Sequence, residues 1–427
     1  MSNVGLRLTL SGALALAVAL PVGTAVAAHT RIPDWAAPQI RVVTARGLMG
    51  TKDPRRFRPN APLTGQALAN LVFGLSLDLT PPVVTAPAPP PVPVPDQAAA
   101  DPATTDPTAT TPATTDPTAT TTAPTETAPS ATVPTDTAPT DTVPAEPASP
   151  PPPAAPPRVA HPAAPVTMAT LDARLVGSLG LSHAAAEFAK GAGAAGLRVP
   201  RRFGTEVVAR LLGLRLNHPT AEDGLELLPS DPATRAEAAY SAAQILGFGW
   251  LGNSWETAAV QSLADSFALP HYSRWQRRIL TVAVSKIGMP YIWGGSSDGP
   301  EAPFGVPSRG GYDCSGFVWR VYKLQRYPDE RSLASTLQGR TTFQMSVEVP
   351  ASERIRFKKL QPADVIFFGD HGPRSTSAEV DHMAIYLGKG WFIQSSGRGV
   401  ALARLTGGYR REFAWGRRPL REAGLAG

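Results

Sequence analysis

The chain has 427 residues, 43% of them hydrophobic, and a formal charge of +6, which allows two or three domains of ordinary size. Its single cysteine excludes a disulfide framework and a thiolate zinc site. Residues 81–157 hold eight acidic residues and no Lys or Arg, whereas 271–427 hold 23 Lys plus Arg against 13 Asp plus Glu; such a basic third suits an anionic wall polymer or lipid surface, and no nucleic-acid motif accompanies it.

Residues 1–28 read as a secretory signal. Arg7 supplies the positive start, an apolar run follows from Leu8 to about Val22, and Ala25-Val26-Ala27 offers a small-residue cleavage site. Ser11, Gly12, Pro21 and Gly23 interrupt that run, which is shorter than the ~20 residues a spanning helix needs. The mature chain is therefore expected to be secreted, at the cell wall or cell surface, with no transmembrane segment.

Residues 29–80 form a helical unit. Trp35, Ile40 and Val43 recur at helical spacing, Gly47 supplies a stop, and Pro59-Asn60-Ala61-Pro62-Leu63-Thr64 opens a second helix ending near Leu75. Residues 81–165 are Pro, Thr and Ala almost throughout, with 103–112 nearly repeated as 113–122. Such a segment buries too little apolar area to offset its ordering entropy and reads as a disordered linker. Beyond it, residues 166–253 are helical again, and Pro229-Ser230-Asp231-Pro232-Ala233-Thr234 repeats the P-x-x-P-x-T block. Thr234 and Glu237 have the spacing of a capping box, while Ala67 replaces the glutamate after Thr64. This layout resembles the surface-layer-homology (SLH) repeats over residues 31–75 and, more loosely, 166–248. The resemblance implies a grip on a secondary cell-wall polymer, although the linker splits the array; a small helical domain without a ligand is the alternative.

Residues 254–427 carry the chemistry. A helical stretch to about Gly288 gives way to β-rich runs at Asp364–Phe368, His382–Leu387, Trp391–Ser395 and Gly399–Arg404, which predicts an α+β domain with an antiparallel sheet. In Gly311-Tyr312-Asp313-Cys314-Ser315-Gly316-Phe317-Val318 a turn precedes a helix. That places Cys314 at a helix N-terminus, where the macrodipole favours a thiolate. A thiolate also needs a base and an orienting group. His382 opens a strand, Gly388-Lys389-Gly390 turns, and Trp391-Phe392-Ile393-Gln394 returns. A loop centred on Lys389 puts Gln394 diagonal to His382 on one face. Its amide oxygen can then accept the Nδ1 proton and leave Nε2 toward the thiol. His371, in the polar loop 369–380, is the competing base, and Asp381 shapes the loop.

The motifs Pro290-Tyr291-Ile292-Trp293-Gly294-Gly295, Asp313-Cys314-Ser315-Gly316-Phe317, Leu360–Phe368 and His382 before Ile385-Tyr386-Leu387-Gly388 together resemble the NlpC-type peptidoglycan peptidases. The resemblance implies a papain-like α+β fold and a Cys314–His382 pair with Gln394 as third residue. It further implies that Tyr291 stabilises an oxyanion and that Asp313 and Ser315 hold the stem peptide. Peptidoglycan is the partner implied, the bond cut is D-Glu to a diamino acid, and neither metal nor cofactor is required. A wall-binding protein without activity and an acyltransferase on the same fold are the alternatives. The segment 296–312 is longer than in many such enzymes and is expected to border the cleft.

Overall fold

The computed structural model describes residues 33–78, 155–248, 255–328 and 333–425. The signal expected at 1–28 and most of the linker expected at 81–165 lie outside these residues.

The N-terminal helices follow the apolar spacing. α1 (Ala37–Ala45) buries Ile40 and Val43, and α2 (Gly65–Asp78) buries Leu68, Leu71 and Leu75. Gly47, at φ +70°, takes the left-handed conformation that ends α1. α3 (Met168–Ser178), α4 (Ser182–Ala194), α5 (Phe203–Leu211) and α6 (Arg235–Gly247) complete the helical part. Thr234 caps α6 by accepting from the Glu237 amide at 3.1 Å. The Glu237 carboxylate does not reach back as a capping box requires; it is buried, 3.4 Å from His218 Nε2.

A third P-x-x-P-x-T block, Pro162-Ala163-Ala164-Pro165-Val166-Thr167, escaped the sequence pattern. The three blocks close a ring of backbone hydrogen bonds: Leu63 N donates to Ala233 O (2.7 Å), Ala233 N to Val166 O (2.8 Å) and Val166 N to Leu63 O (2.9 Å). Each block then opens a helix, α2, α3 or α6. The expected splitting of the array is therefore one of sequence and not of space. α1 packs on α6 and α5 packs on α3. The equivalent face of α2 instead lines an apolar groove through Leu68, Val72 and Phe73, beside Val159 and Val166.

The described residues up to 78 and from 156 onward belong to one compact unit, and arginines make the join. α7 (Trp255–Asp265) and α8 (Arg274–Ser285) divide the helical stretch expected at 254–288. The C-terminal carbonyls of a helix lack intrahelical partners. Arg202 supplies them for α8, donating to Ser285 O and Ile287 O at 3.2 Å each. Arg210 donates to Gly288 O and, at 2.6 Å, to Arg398 O, while Arg398 returns a bond to Leu211 O at 3.0 Å.

Beyond α8, the short strands β1 (Ser296–Ser297) and β2 (Gly311–Tyr312) pair antiparallel. α9 (Cys314–Trp319), α10 (Leu333–Thr336) and α11 (Thr342–Val347) follow. The sheet comprises β3 (Val365–Gly369), β4 (Val380–Gly388), β5 (Trp391–Ser396), β6 (Gly399–Arg404) and β7 (Phe413–Arg417), in the order β6-β5-β4-β3-β7. Every pair is antiparallel, as the α+β expectation requires. β7 was not foreseen. It follows α12 (Gly407–Glu412), precedes α13 (Pro419–Glu422), and is buried throughout, so no polar alternation marks it. α9 packs against β4 and β5. The opposite sheet face gathers Ile366, Phe368, Ala384, Tyr386, Phe392 and Phe413. Among the described residues no helix is long and apolar enough to cross a membrane.

Candidate active site

Cys314 is the first residue of α9. Asp313 takes the N-cap position, its Oδ1 accepting from the Gly316 amide and, at 2.9 Å, from Ser315 Oγ. The sulfur lies 3.4 Å from Thr342 Oγ1 and 3.9 Å from the Asp381 carbonyl oxygen, and the Met383 amide also reaches it. It therefore abuts the strand backbone on both sides of His382. The expected lowering of the thiol pKa at a helix start is reversed: burial pushes it up, and the bonds from Thr342, Met383 and Ser315 offset only part of that. Desolvation is the largest influence on the thiol at this depth and favours its neutral form.

His382 and Gln394 meet as the register requires. Lys389 has φ +50° at the turn, Ile385 faces Ile393 and Tyr386 faces Phe392. Gln394 Oε1 lies 2.7 Å from His382, but the nitrogen it meets is Nε2 and not the expected Nδ1. The ring orientation, which strand register leaves free, decides this. Gln394 Nε2 in turn donates to Tyr409 OH at 2.7 Å. With the amide in this orientation Oε1 accepts from His382 Nε2–H, which leaves Nδ1 as the basic nitrogen. Tyr409, from α12, stacks edge-on to Phe392 and Phe368, and Phe368 lies against the His382 ring. Burial lowers the His382 pKa below its ordinary 6.5, with Gln394 opposing the shift. The imidazole is neutral at pH 7. His371, by contrast, is exposed and paired with Glu379 at 3.2 Å.

Tyr291 sits beside this centre. Its phenol pKa is raised by burial first and then by Cys314 and Asp313, which keeps it a neutral hydrogen-bond donor. Its amide is held by Asn217 Oδ1 at 2.9 Å, and the Trp293 amide by Asp223 Oδ2 at 3.2 Å. Both holding residues come from the helical repeats, a long-range contact that no local signal announced. Arg340 is a second residue that the sequence pattern missed. It bonds Ser315 Oγ (2.7 Å), Gly294 O (2.9 Å), Gly295 O (3.1 Å) and Asp313 Oδ1 (3.3 Å). Asp313 and Ser315 are thus tied to each other, to α9 and to the Tyr291 segment through one guanidinium. Among the described residues no group of three or more His, Cys, Asp or Glu is placed to hold a metal ion.

Residues 288–418 match the NlpC/P60 family. Residues 30–69 match the S-layer homology domain. The murein DD-endopeptidase MepH of Escherichia coli is 32% identical over 170 residues, covering 38% of this chain and 52% of that protein. A gamma-D-glutamyl-L-lysine dipeptidyl-peptidase of Bacillus cereus is 35% identical over 138 residues, covering 31% and 33%. The chain thus spans about half, or less, of the length of these curated relatives. A solved NlpC/P60 family protein from Bacillus cereus is 27% identical with a TM-score of 0.26, covering 36% of this chain and 42% of that one. Cys314, Tyr291, His382 and Gln394 all fall inside the NlpC/P60 segment, whereas Asn217 and Asp223 reach it from outside.

Proposed function

We propose that this protein is a cell-wall hydrolase, a cysteine peptidase that cleaves amide bonds in peptidoglycan stem peptides. One observation carries the proposal: the Cys314 sulfur at the start of α9 abuts the backbone around His382, whose ring is oriented by Gln394 and Tyr409. In this mechanism the thiol adds to the amide carbonyl carbon while its proton passes to His382 Nδ1. Tyr291 OH donates to the developing oxyanion. His382 then delivers the proton to the leaving amine as the C–N bond breaks. Water, deprotonated by the same imidazole, hydrolyses the thioester and restores the thiol. Starting from a neutral pair, proton transfer to His382 accompanies attack on the carbonyl.

The bond proposed is D-Glu to a diamino acid, in line with the relative named for a gamma-D-glutamyl-L-lysine linkage. The S-layer homology segment and the ring of P-x-x-P-x-T blocks support retention at the cell surface through a wall polymer. Mass spectrometry of muropeptides incubated with the full chain tests the chemistry. Cys314→Ala is expected to abolish product formation with the fold intact by circular dichroism. Undiminished turnover by that variant would falsify the nucleophile assignment.

A further inference from the structure

The backbone that carries Tyr291 is held from two sides. On one side it bridges Tyr312, close ahead of Cys314: Ile292 N donates to Tyr312 O and Tyr312 N to Pro290 O, at 3.2 Å each. Gly295 O then accepts from Asp313 N at 3.1 Å. The segment therefore runs alongside the residues that start α9. Among the described residues no strand pairs with its other edge. There the amides of Tyr291 and Trp293 go to side chains, Asn217 Oδ1 at 2.9 Å and Asp223 Oδ2 at 3.2 Å. A backbone N–H only donates, so the Asn217 atom that receives it is the oxygen, and Asn217 Nδ2 turns to His218 O at 3.3 Å. The two acceptors stand where a neighbouring strand would satisfy these amides.

Neither acceptor belongs to the NlpC/P60 segment. Both lie on the loop 217–226, which His218 and Glu226 close: the buried imidazole has Nδ1 3.0 Å from Glu226 Oε1 and Nε2 3.4 Å from Glu237 Oε1. Glu237 lies in the first turn of α6, just after the Thr234 cap. Trp35, in the S-layer homology segment, packs edge-on against the same imidazole with centroids 4.6 Å apart. The acceptors are thus anchored in the core of the repeats. A donor aimed at an oxyanion must be held to within about 0.5 Å of its productive place. Cys314 and Asp313 lie close enough to act on the Tyr291 phenol, so the placing of this backbone matters at the reacting centre.

We propose that Asn217 and Asp223 are positioning residues for catalysis: the helical repeats supply the edge that sets Tyr291 at the oxyanion. The inference rests on the oxyanion role given to Tyr291 and deepens it, since the NlpC/P60 segment then reaches its full rate only with the repeats folded against it. The test is steady-state kinetics of the full chain on soluble muropeptides. Asn217→Ala is expected to lower kcat about tenfold, the worth of one hydrogen bond, and to move KM less than about twofold. In a Tyr291→Phe background the same substitution should lower kcat less than about twofold, because the group it positions is gone. Asp223→Ala should also lower kcat, and Asp223→Asn, which keeps an oxygen for the Trp293 amide, should restore it. A purely structural role would cost the same in both backgrounds. Wild-type kcat in Tyr291→Phe removes the oxyanion role and this inference with it. If Tyr291→Phe is impaired but Asn217→Ala is silent, acts on KM alone or costs as much in both backgrounds, the positioning role is overturned and the oxyanion role stands. Should circular dichroism show Asn217→Ala unfolded, the Asp223 variants decide, and equal kcat for Asp223→Ala and Asp223→Asn overturns the inference.

Discussion

At the residue scale the reactive pair is set by what burial does to each group. Cys314 is pushed up and His382 pushed down, so both favour their neutral forms. A neutral imidazole accepts the thiol proton only if the correct nitrogen is bare, and the Gln394–Tyr409 pair is arranged to favour this. The Tyr409 hydroxyl takes the Gln394 amide donor, which turns the amide oxygen to His382 Nε2. pH–rate profiles test both statements. Because the His382 pKa lies below its ordinary 6.5, kcat/KM should rise through an acid limb that falls below pH 6.5 and be level by neutrality. Tyr409→Phe frees the amide to turn over and should lower the plateau about tenfold, the loss of one charge-orienting hydrogen bond. Nitrogen-15 spectra of the imidazole discriminate a positioning role from general damage, since a mixture of tautomers should replace the Nε2-protonated form. A single unchanged tautomer in Tyr409→Phe would remove Tyr409 from the mechanism.

At the element scale the join between α5 and the NlpC/P60 segment is made of buried charge. Glu206 is buried, neither carboxylate oxygen has a hydrogen-bond partner, and the side chain packs against Gly288. Desolvation first, then Asp172, pushes its pKa up to about 7 against the pull of Arg215, Arg210 and Arg202. A carboxyl raised above its ordinary 4.5 binds its proton more tightly in the folded chain. Its stabilising contribution is complete below that value and is lost as pH rises through 7. The wild-type melting temperature is therefore expected to fall between about pH 5 and pH 8. Glu206→Gln, always neutral, should melt near the wild type at pH 5 and above it at pH 8. Asp172 and Glu237, also raised by burial, keep a residual slope in both proteins. Melting curves that shift in parallel at every pH would show that Glu206 does not titrate in this range.

The same scale shows what the sequence could carry. β3 to β6 were legible because turn residues bound each run and the Gly388-Lys389-Gly390 loop fixes the register, which brought Gln394 to His382 without coordinates. β7 was hidden because all five of its residues are buried. The block at Pro162 was hidden by its surroundings, since proline and alanine dominate the preceding stretch. Arg340, Thr342, Tyr409, Asn217 and Asp223 act across distances in sequence that no local pattern encodes. The burial of Cys314, which opposes the local dipole, has no local sequence signal.

At the scale of the whole molecule, the repeats and the NlpC/P60 segment share one compact unit, and in sequence the Pro/Thr-rich stretch interrupts the repeats and not their connection to that segment. It leaves after α2 and the chain rejoins the repeats ahead of the block at Pro162. The two parts are joined through Arg202, Arg210, Asn217 and Asp223. The proposed wall attachment and hydrolysis then reside in one unit. Most of the intervening stretch should be dispensable for both activities. Deleting residues 86–150 leaves 79–85 and 151–154 to connect Asp78 with Ala155. The chain re-enters near the start of α2, where Gln66 Nε2 donates to Pro157 O at 3.0 Å. The connection must therefore run back along the 14 residues of α2, about 21 Å at 1.5 Å per residue. The remaining residues extend to about 36 Å, so the ring of P-x-x-P-x-T blocks can close without strain. The shortened chain is expected to cleave soluble muropeptides at the wild-type rate and to sediment with purified sacculi at about 1 M salt, where charge attraction alone is screened beyond ~3 Å. Lost turnover would place the deleted stretch in the catalytic unit. Lost sedimentation with turnover intact would move the wall attachment out of the repeats and into that stretch.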